Sequence, residues 1–552
     1  MLCRRRLISL LCAGWIWCSP GMAGGGDADA SAALQVKVLS AMQRATRFML
    51  DEVSHRGGFV WYYLPDFSRR WGELEATSTM LWVQPPGTAS VGHLLLDAYH
   101  VTDDGDYLHA AQKVGRAILA AQHSSGGWNY VHDFAGEQAL RNWYGRVGRH
   151  AWRLEEFQHY LGNATFDDGG THEATLLLMR LAQAPQQGEV FGPGLERALA
   201  FILDSQFPGG GWPQRYPPVA DSPIPYADAI TFNDGVADGN IRLLLMAWRL
   251  TGQQRYRDAA LKGMDSYLAL QLPHPQPGWA LQYHRDGAPA AGRSYEAAAL
   301  SPAMTAHNLR ALMAFYRVTG EQRFLTPIPA ALDWLDSLAL PAAAVRDGRT
   351  HPRVVELGSD RPLYIYRRGS NVDNGAYYFA YQPGKTVRHY PSAGRLDVAA
   401  LREEYRSILA AGAPTGTLWQ RVQQAPALTL PERYINARTL EGIPGSDREL
   451  DDRPLTEAEV ISLLASLNER GYWPSLQRFT THPAGQSGML QTGRDTTRYA
   501  DTWVGDASDT SPWYLQQPRE VIALDRYIAN MAKLLGFLSA RASVGEREKG
   551  AS

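Results

Sequence analysis

A helix, a short polar turn, a second helix and a loop holding a Gly-Trp pair recur along this chain. Residues 94–121 read LLLDAYHVTDDGDYLHAAQKVGRAILAA and run into HSSGGWNY. Residues 243–271 repeat the form as LLLMAWRLTGQQRYRDAALKGMDSYLALQ and lead to PGWALQY. Residues 309–338 give a third copy, and residues 175–206 a more divergent one that ends in FPGGGWPQRY. Helix pairs repeated in this way stack side by side and bury a shared face. Closed on themselves they form an α/α toroid, with the loops gathered at one end of a bowl. An open solenoid is the alternative, and the aromatic Gly-Trp loops favour the bowl. The fold class expected is therefore mainly α, with a smaller β-containing segment near residues 351–381, where apolar and polar residues alternate among tyrosines and β-branched side chains. Residues 396–411 read as helix, residues 415–520 carry few periodic signals, and residues 518–540 form an amphipathic helix before a frayed end.

Composition narrows the class. An apolar share of 45% with 20% charged residues suits a well-packed soluble protein, and a net charge of −2 with no basic stripe argues against nucleic acid as a partner. Sixteen Trp and 26 Tyr are more aromatic surface than a core alone demands, which leans toward carbohydrate. Arg4, Arg5 and Arg6, a short apolar run over residues 7–18 and a small-residue site at Gly21-Met22-Ala23 read as an export signal. That run is too short for a membrane span. Cys3, Cys12 and Cys18 all lie inside it, so cleavage near Ala23 leaves a cysteine-free protein, secreted or periplasmic. A lipid anchor at Cys12 is disfavoured by the bulky Leu11.

Chemistry concentrates in residues 207–238, FPGGGWPQRYPPVADSPIPYADAITFNDGVAD. Glycines 209–211 free the backbone to turn, and Trp212 with the prolines stiffens it. Asn233 and Asp234 end an apolar run and open a helix. Oxygen ligands beside flat aromatic faces suit a cation-using sugar cleft. Helix capping by Asn233 or Asp234 is the simpler alternative.

GGWPQRYP followed by ITFND resembles the signature of the polysaccharide lyase family 10 pectate lyases. Three more blocks fit in the same order. They are TFDDGGT at residues 165–171, GRSYE at 292–296 with Leu300-Ser301 behind it, and RVVEL at 353–357 followed by DRPL at 360–363. The resemblance covers roughly residues 90–390. Asp168 and Gly170 replace the family's Asn and Ala, and the block after Arg353 loses two aromatics, so the fold and ion site are carried over more firmly than the substrate. The resemblance implies a lyase domain over residues 33–390, with residues 391–541 packing on it and residues 542–552 as a tail.

It also implies calcium-assisted β-elimination on polygalacturonate or a related acidic polysaccharide by a monomer. Asp167, Asp168 and Asp234 match the acidic calcium positions, with capping of the helix near His172 as the alternative use of Asp167-Asp168. Arg293 matches the proton acceptor. Free arginine keeps its proton above pH 12, so that role needs a second cation nearby; gripping a substrate carboxylate is the alternative. Arg353, Arg361, Arg367 and Arg310 are candidates to pair with sugar carboxylates. Asn233, Glu296 and Trp212 are candidates to line the substrate, and Trp212, like Trp128 and Trp279, either stacks on sugar or packs between repeats. Two rival functions remain: a hydrolase using Glu296, Asp234 or Glu356 as paired carboxylates, and a non-catalytic binder of acidic polysaccharide.

Overall fold

The structure is a computed structural model that describes residues 25–151, 154–368, 376–384, 386–387, 390–425, 430, 439–440, 443–444, 455–477 and 518–550. The expected export signal lies outside these residues. Its helices, in chain order, are α1 (Gly25–Phe48), α2 (Thr88–Thr102), α3 (Gly105–Ala120), α4 (Glu137–Arg146), α5 (Glu155–Gln158), α6 (Gly170–Gln183), α7 (Gly188–Asp204), α8 (Val236–Thr251) and α9 (Gln254–Ala269). They continue as α10 (Pro302–Thr319), α11 (Ile328–Ser337), α12 (Val398–Ala411), α13 (Leu418–Gln424), α14 (Glu457–Ala465) and α15 (Leu524–Gly550).

Four hairpins, α2–α3, α6–α7, α8–α9 and α10–α11, carry the repeat, and α2, α6 and α8 pack on one another in succession. These first helices are buried on every side. Thr88–Ala98, Gly170–Leu181 and Val236–Trp248 contain no exposed residue. The second helices bury one face only, as in α3, where Tyr107, Ala110, Ala111, Val114 and Ile118 point inward. A helix buried on all sides belongs inside and an amphipathic one outside, and the polar side chains the inner helices carry are paired there, as Arg180 is with Asp97. The outcome is a mainly α fold, an α/α toroid with an inner and an outer layer.

Three of the inner helices stop by the same device, while α6 ends on Ala184 in extended conformation. Asp103, Gly252 and Gly320 sit at positive φ after α2, α8 and α10, and their N–H groups bond Tyr99 O, Trp248 O and Tyr316 O at 2.8, 2.7 and 2.7 Å. The preceding Thr102, Thr251 and Thr319 bond back one turn through their hydroxyls. The left-handed cap satisfies a terminal carbonyl and reverses the chain into the outer helix.

The Gly-Trp loops hold the repeats together. Trp128, Trp212 and Trp279 are completely buried, and each indole N–H donates to a carbonyl of the preceding outer helix, Ile118 O, Ile202 O and Tyr267 O, at 2.8, 2.9 and 2.9 Å. Their own carbonyls accept from Thr165, Thr231 and Ser301, at the threshold of the next inner helix. Trp212 therefore does not offer a face to a sugar, because its ring fills the seam between α7 and the following hairpin. Replacing Trp212 by Phe should lower unfolding stability by about 1–3 kcal/mol, through the lost buried hydrogen bond and ring volume. A urea titration that leaves the midpoint unchanged would restore the sugar-stacking role.

Short antiparallel ribbons close one end of successive repeats: Met80–Trp82 with Val131–Asp133, Ala164–Thr165 with Arg215–Tyr216, and Ile230–Thr231 with Gln282–Tyr283. In each, the strand entering an inner helix pairs with the strand leaving its outer partner. The loops that lead into the inner helices thus gather at one rim. The β segment expected near residues 351–381 is present as His351–Pro352 and a hairpin of Tyr364–Arg368 with Ala376–Ala380, whose turn lies outside the described residues. The C-terminal helix starts at Leu524 rather than 518, because Arg519–Ala523 is a strand paired with Tyr62–Tyr63 and Pro474–Gln477. Among the described residues, no helix is long and apolar enough to cross a membrane.

Candidate active site

Two adjacent repeats enter their inner helices through the same turn. Thr165-Phe166-Asp167-Asp168-Gly169 leads into α6, and Thr231-Phe232-Asn233-Asp234-Gly235 leads into α8. In both, the aspartate and the glycine after it take the left-handed conformation, with φ of 53° and 72° in the first and 55° and 69° in the second. Few non-glycine residues tolerate this φ, and aspartate is among those that do. Neither turn caps its helix with a side chain. The capping alternative therefore fails for all four residues, and the two turns meet face to face.

Arg293 lies between them. It sits on the loop joining the strand Pro289–Ala290 to α10 and is 8% exposed. Its Nη2 donates to Asp167 Oδ2 at 3.0 Å, its Nη1 to Asp234 Oδ2 at 3.1 Å and Glu296 Oε1 at 3.5 Å, and its Nε to Glu156 Oε2 at 3.4 Å. The loop is tied into a turn by Glu296, whose Oε2 accepts from Arg293 N at 3.0 Å. Tyr130 donates its hydroxyl to Asp167 Oδ2 at 2.5 Å, and Gln84 donates to Asp168 Oδ2 at 2.8 Å. Asn233 donates to Asp234 Oδ2 at 2.7 Å.

One guanidinium thus faces more carboxylates than it can neutralise. Burial and then the Asp167 charge push the Asp168 and Asp234 carboxyls well above the usual carboxylate range. Glu156 is pushed up to about 7, chiefly by burial. Burial pulls Arg293 down, but Glu156, Asp167, Asp234 and Glu296 outweigh it and raise its proton affinity further. As the residues stand, Arg293 is a firmly held cation. Proton acceptance would require the carboxylate charge around it to be offset first.

The donor set fits a hard cation. Carboxylate oxygens of Glu156, Asp167 and Asp168 lie within 4.8 Å of one another. Asp167 Oδ1 and Asn233 Oδ1 are buried and have no hydrogen-bond partner. Buried oxygens left unsatisfied beside excess negative charge are what calcium, with its flexible all-oxygen coordination, would satisfy. Asp234 meets the same guanidinium at Nη1, where Asp167 meets it at Nη2.

Sequence reasoning missed Glu156, which carries no motif. A pair of acids between aromatic residues, WRLEEF, was its only signal.

The remaining candidates spread outward. Arg353 bonds Pro391 O at 2.5 Å and lies 4.3 Å from the Tyr390 ring centroid. Tyr390 in turn packs on Tyr295, two residues from Arg293, at 5.0 Å between centroids. Arg367 is half-buried on the Tyr364–Arg368 strand, and Tyr295 also meets Tyr377 of the facing strand. Arg361 is exposed and stacked on Tyr381, and Arg310 is exposed on α10. Glu356, a candidate hydrolase carboxylate, is bonded by Ser359 and Tyr381.

Residues 137–372 match the family model described as pectic acid lyase. No curated protein matches the chain. Solved structures that resemble it include a family 10 polysaccharide lyase from Cellvibrio cellulosa, at 20% identity over 49% of this chain and 84% of that one, with a TM-score of 0.35. A point mutant of family 10 polysaccharide lyase from the same organism, in complex with trigalaturonic acid, is 16% identical over 59% and 98%, with a TM-score of 0.38. An inactive alpha-1,6-mannanase variant of Salegentibacter sp. HEL1_6, in complex with alpha-1,6-mannotriose, is 10% identical over 92% and 99%, with a TM-score of 0.34.

Proposed function

We propose, from the match of residues 137–372 to the pectic acid lyase family model, that this chain is an exported pectate lyase. Its substrate is polygalacturonate or a related polyuronate, cleaved by β-elimination with calcium. The observation that carries the reading is the cage of Glu156, Asp167, Asp234 and Glu296 around the single cation Arg293, with Asp168 beside it.

Elimination removes the proton at C5 of a uronate ring. The C5–H electrons form the C4=C5 double bond, and the glycosidic oxygen at C4 leaves with its own pair. The proton is weakly acidic, so the negative charge that develops on the adjacent carboxylate needs stabilising. Calcium, held by oxygens of Asp167, Asp168, Asp234 and Glu156, would supply that stabilisation and offset the charge of the cage.

The chain's own residues do the rest. Asp167 is fixed by Tyr130, and Asp168 by Gln84, so their carboxylates are held before substrate arrives. Arg293 is the group we assign to the C5 proton: with its carboxylate neighbours engaged elsewhere, the guanidinium gives up one proton to solvent, and the neutral group then accepts the proton from C5. Arg353 and Arg367 present guanidinium groups to neighbouring sugar carboxylates.

The test is purified protein with polygalacturonate, with calcium and with a chelator, followed by ultraviolet absorbance of the unsaturated uronate. Absorbance should rise with calcium and stay flat in chelator or in Asp234→Ala. New reducing ends without absorbance would identify a hydrolase, and binding without either signal would identify a non-catalytic binder.

A further inference from the structure

We propose that Glu155 is a positioning residue that latches the Arg293 loop onto α5. The inference rests on the assignment of Arg293 above.

Arg293 belongs to no helix or strand, and the turn that carries it is closed by Glu296 N to Arg293 O at 2.7 Å and Gly292 N to Glu296 O at 3.1 Å. Tyr295 packs the turn on Tyr377 and Tyr390 through its ring, a contact that leaves the backbone free to shift along the ring faces. Ser294 supplies a directional attachment of the backbone itself. Its N–H lies 3.1 Å from both Glu155 Oε1 and Oε2, and its hydroxyl also donates to Oε1. The partners are 139 residues apart in sequence.

Two consecutive residues of α5 thus hold two consecutive residues of the loop. Glu155 takes the backbone and hydroxyl of Ser294, and Glu156 takes the Arg293 side chain. A carboxylate accepting a backbone N–H is among the stronger hydrogen bonds available.

The anchor is itself fixed. Phe157, next along α5, is completely buried, with ring centroids 4.8 Å from Tyr130, 5.8 Å from Trp82 and 6.2 Å from Trp143. Tyr130 is also the donor to Asp167. One aromatic cluster therefore sets the place of Asp167 directly and of Arg293 through Glu155. Groups that orient a reacting residue without touching substrate change turnover by about 10–100-fold.

The experiment combines hydrogen exchange over residues 292–297 with steady-state kinetics on polygalacturonate, for Glu155→Ala, Glu155→Gln and Ser294→Ala. Glu155→Ala should speed exchange of the Ser294 amide at least tenfold and lower kcat by about 10–100-fold, with KM within about twofold. Glu155→Gln keeps an acceptor and should recover most of both, as should Ser294→Ala, which keeps the N–H. Unchanged exchange in Glu155→Ala overturns the latch, and freed exchange with normal kcat overturns the positioning role. If the wild-type protein gives no calcium-dependent absorbance, the lyase reading fails, while the exchange data still decide the latch.

Discussion

Arg293→Ala is expected to lower kcat by about a thousandfold or more while calcium binding becomes tighter. The rate loss follows because a group acting on the reacting atoms contributes in the transition state, where its removal costs orders of magnitude. The gain in affinity follows from competition. Arg293 already occupies Asp167 Oδ2 and Asp234 Oδ2, oxygens the ion would also use, at 3.0 and 3.1 Å. Without the guanidinium, the carboxylates of Glu156, Asp167, Asp234 and Glu296 have no counter-charge among themselves, and a divalent ion is the group that can supply it. Titration calorimetry with calcium and initial rates at saturating substrate measure the two effects separately. Arg293→Lys should fall between, since one ammonium cannot replace contacts made separately through Nε, Nη1 and Nη2. A raised KM with normal kcat would reduce Arg293 to a substrate grip. Weaker calcium binding in Arg293→Ala would show that the arginine and the ion do not share oxygens.

The second large effect is expected far from chemistry. Arg180 of α6 donates to Asp97 of α2 at 2.6 Å, and both side chains are at most 4% exposed. Its Nη1 also lies 3.2 Å from His93 Nδ1 and from His93 O. Burial and then the Arg180 charge hold the His93 pKa well below 6.5, so the ring is neutral. With Nδ1 accepting from arginine, its proton sits on Nε2, which faces Glu173 O at 3.1 Å. Arg180→Met should lower stability by about 3–5 kcal/mol, because Asp97 is left charged between two inner helices. Arg180→Met with Asp97→Leu should recover much of the loss, since an apolar pair need not be worse than the ion pair. Denaturant midpoints decide this, and a small loss in the single mutant would mean that water or a rearranged neighbour reaches Asp97.

The inner and outer helices were legible because their period, their αL caps and their Gly-Trp loops recur together. The same recurrence should have settled Trp212. A tryptophan found after three successive outer helices serves what each of those repeats needs, which is packing, whereas a sugar platform is needed at one place. The site was legible where the chain folds locally: Asp167, Asp168, Asn233, Asp234, Arg293 and Glu296 all sit in short blocks and meet. A further signal went unread, because TFDDG and TFNDG are one turn used twice, and a repeated strained turn in adjacent repeats points to a shared purpose. Glu155 and Glu156 were not legible, since their role depends on α5 reaching a loop 139 residues away. The outer Arg310 and Arg361 are a different case. Exposed Arg310 and stacked Arg361 have sequence neighbourhoods no different from those of any solvated arginine.

The strand Arg519–Ala523 and helix α15 join the far end of the chain to its beginning, where α15 lies on α1 and α2. Thr46 and Tyr527 share a hydrogen bond of 2.8 Å across 481 residues. During synthesis the other repeats can stack as they emerge, but this face of α2 waits uncovered until α15 has left the ribosome. Closing so long a loop adds an entropic barrier late in folding. In the interval the chain presents an apolar helix face and one open edge of the strand Tyr62–Tyr63, whose other edge pairs with Arg70–Trp71, the kind of surface on which nascent chains aggregate. The seam is sewn only once the whole polypeptide is available, so a chain of this design gains from being kept apart from its neighbours until then.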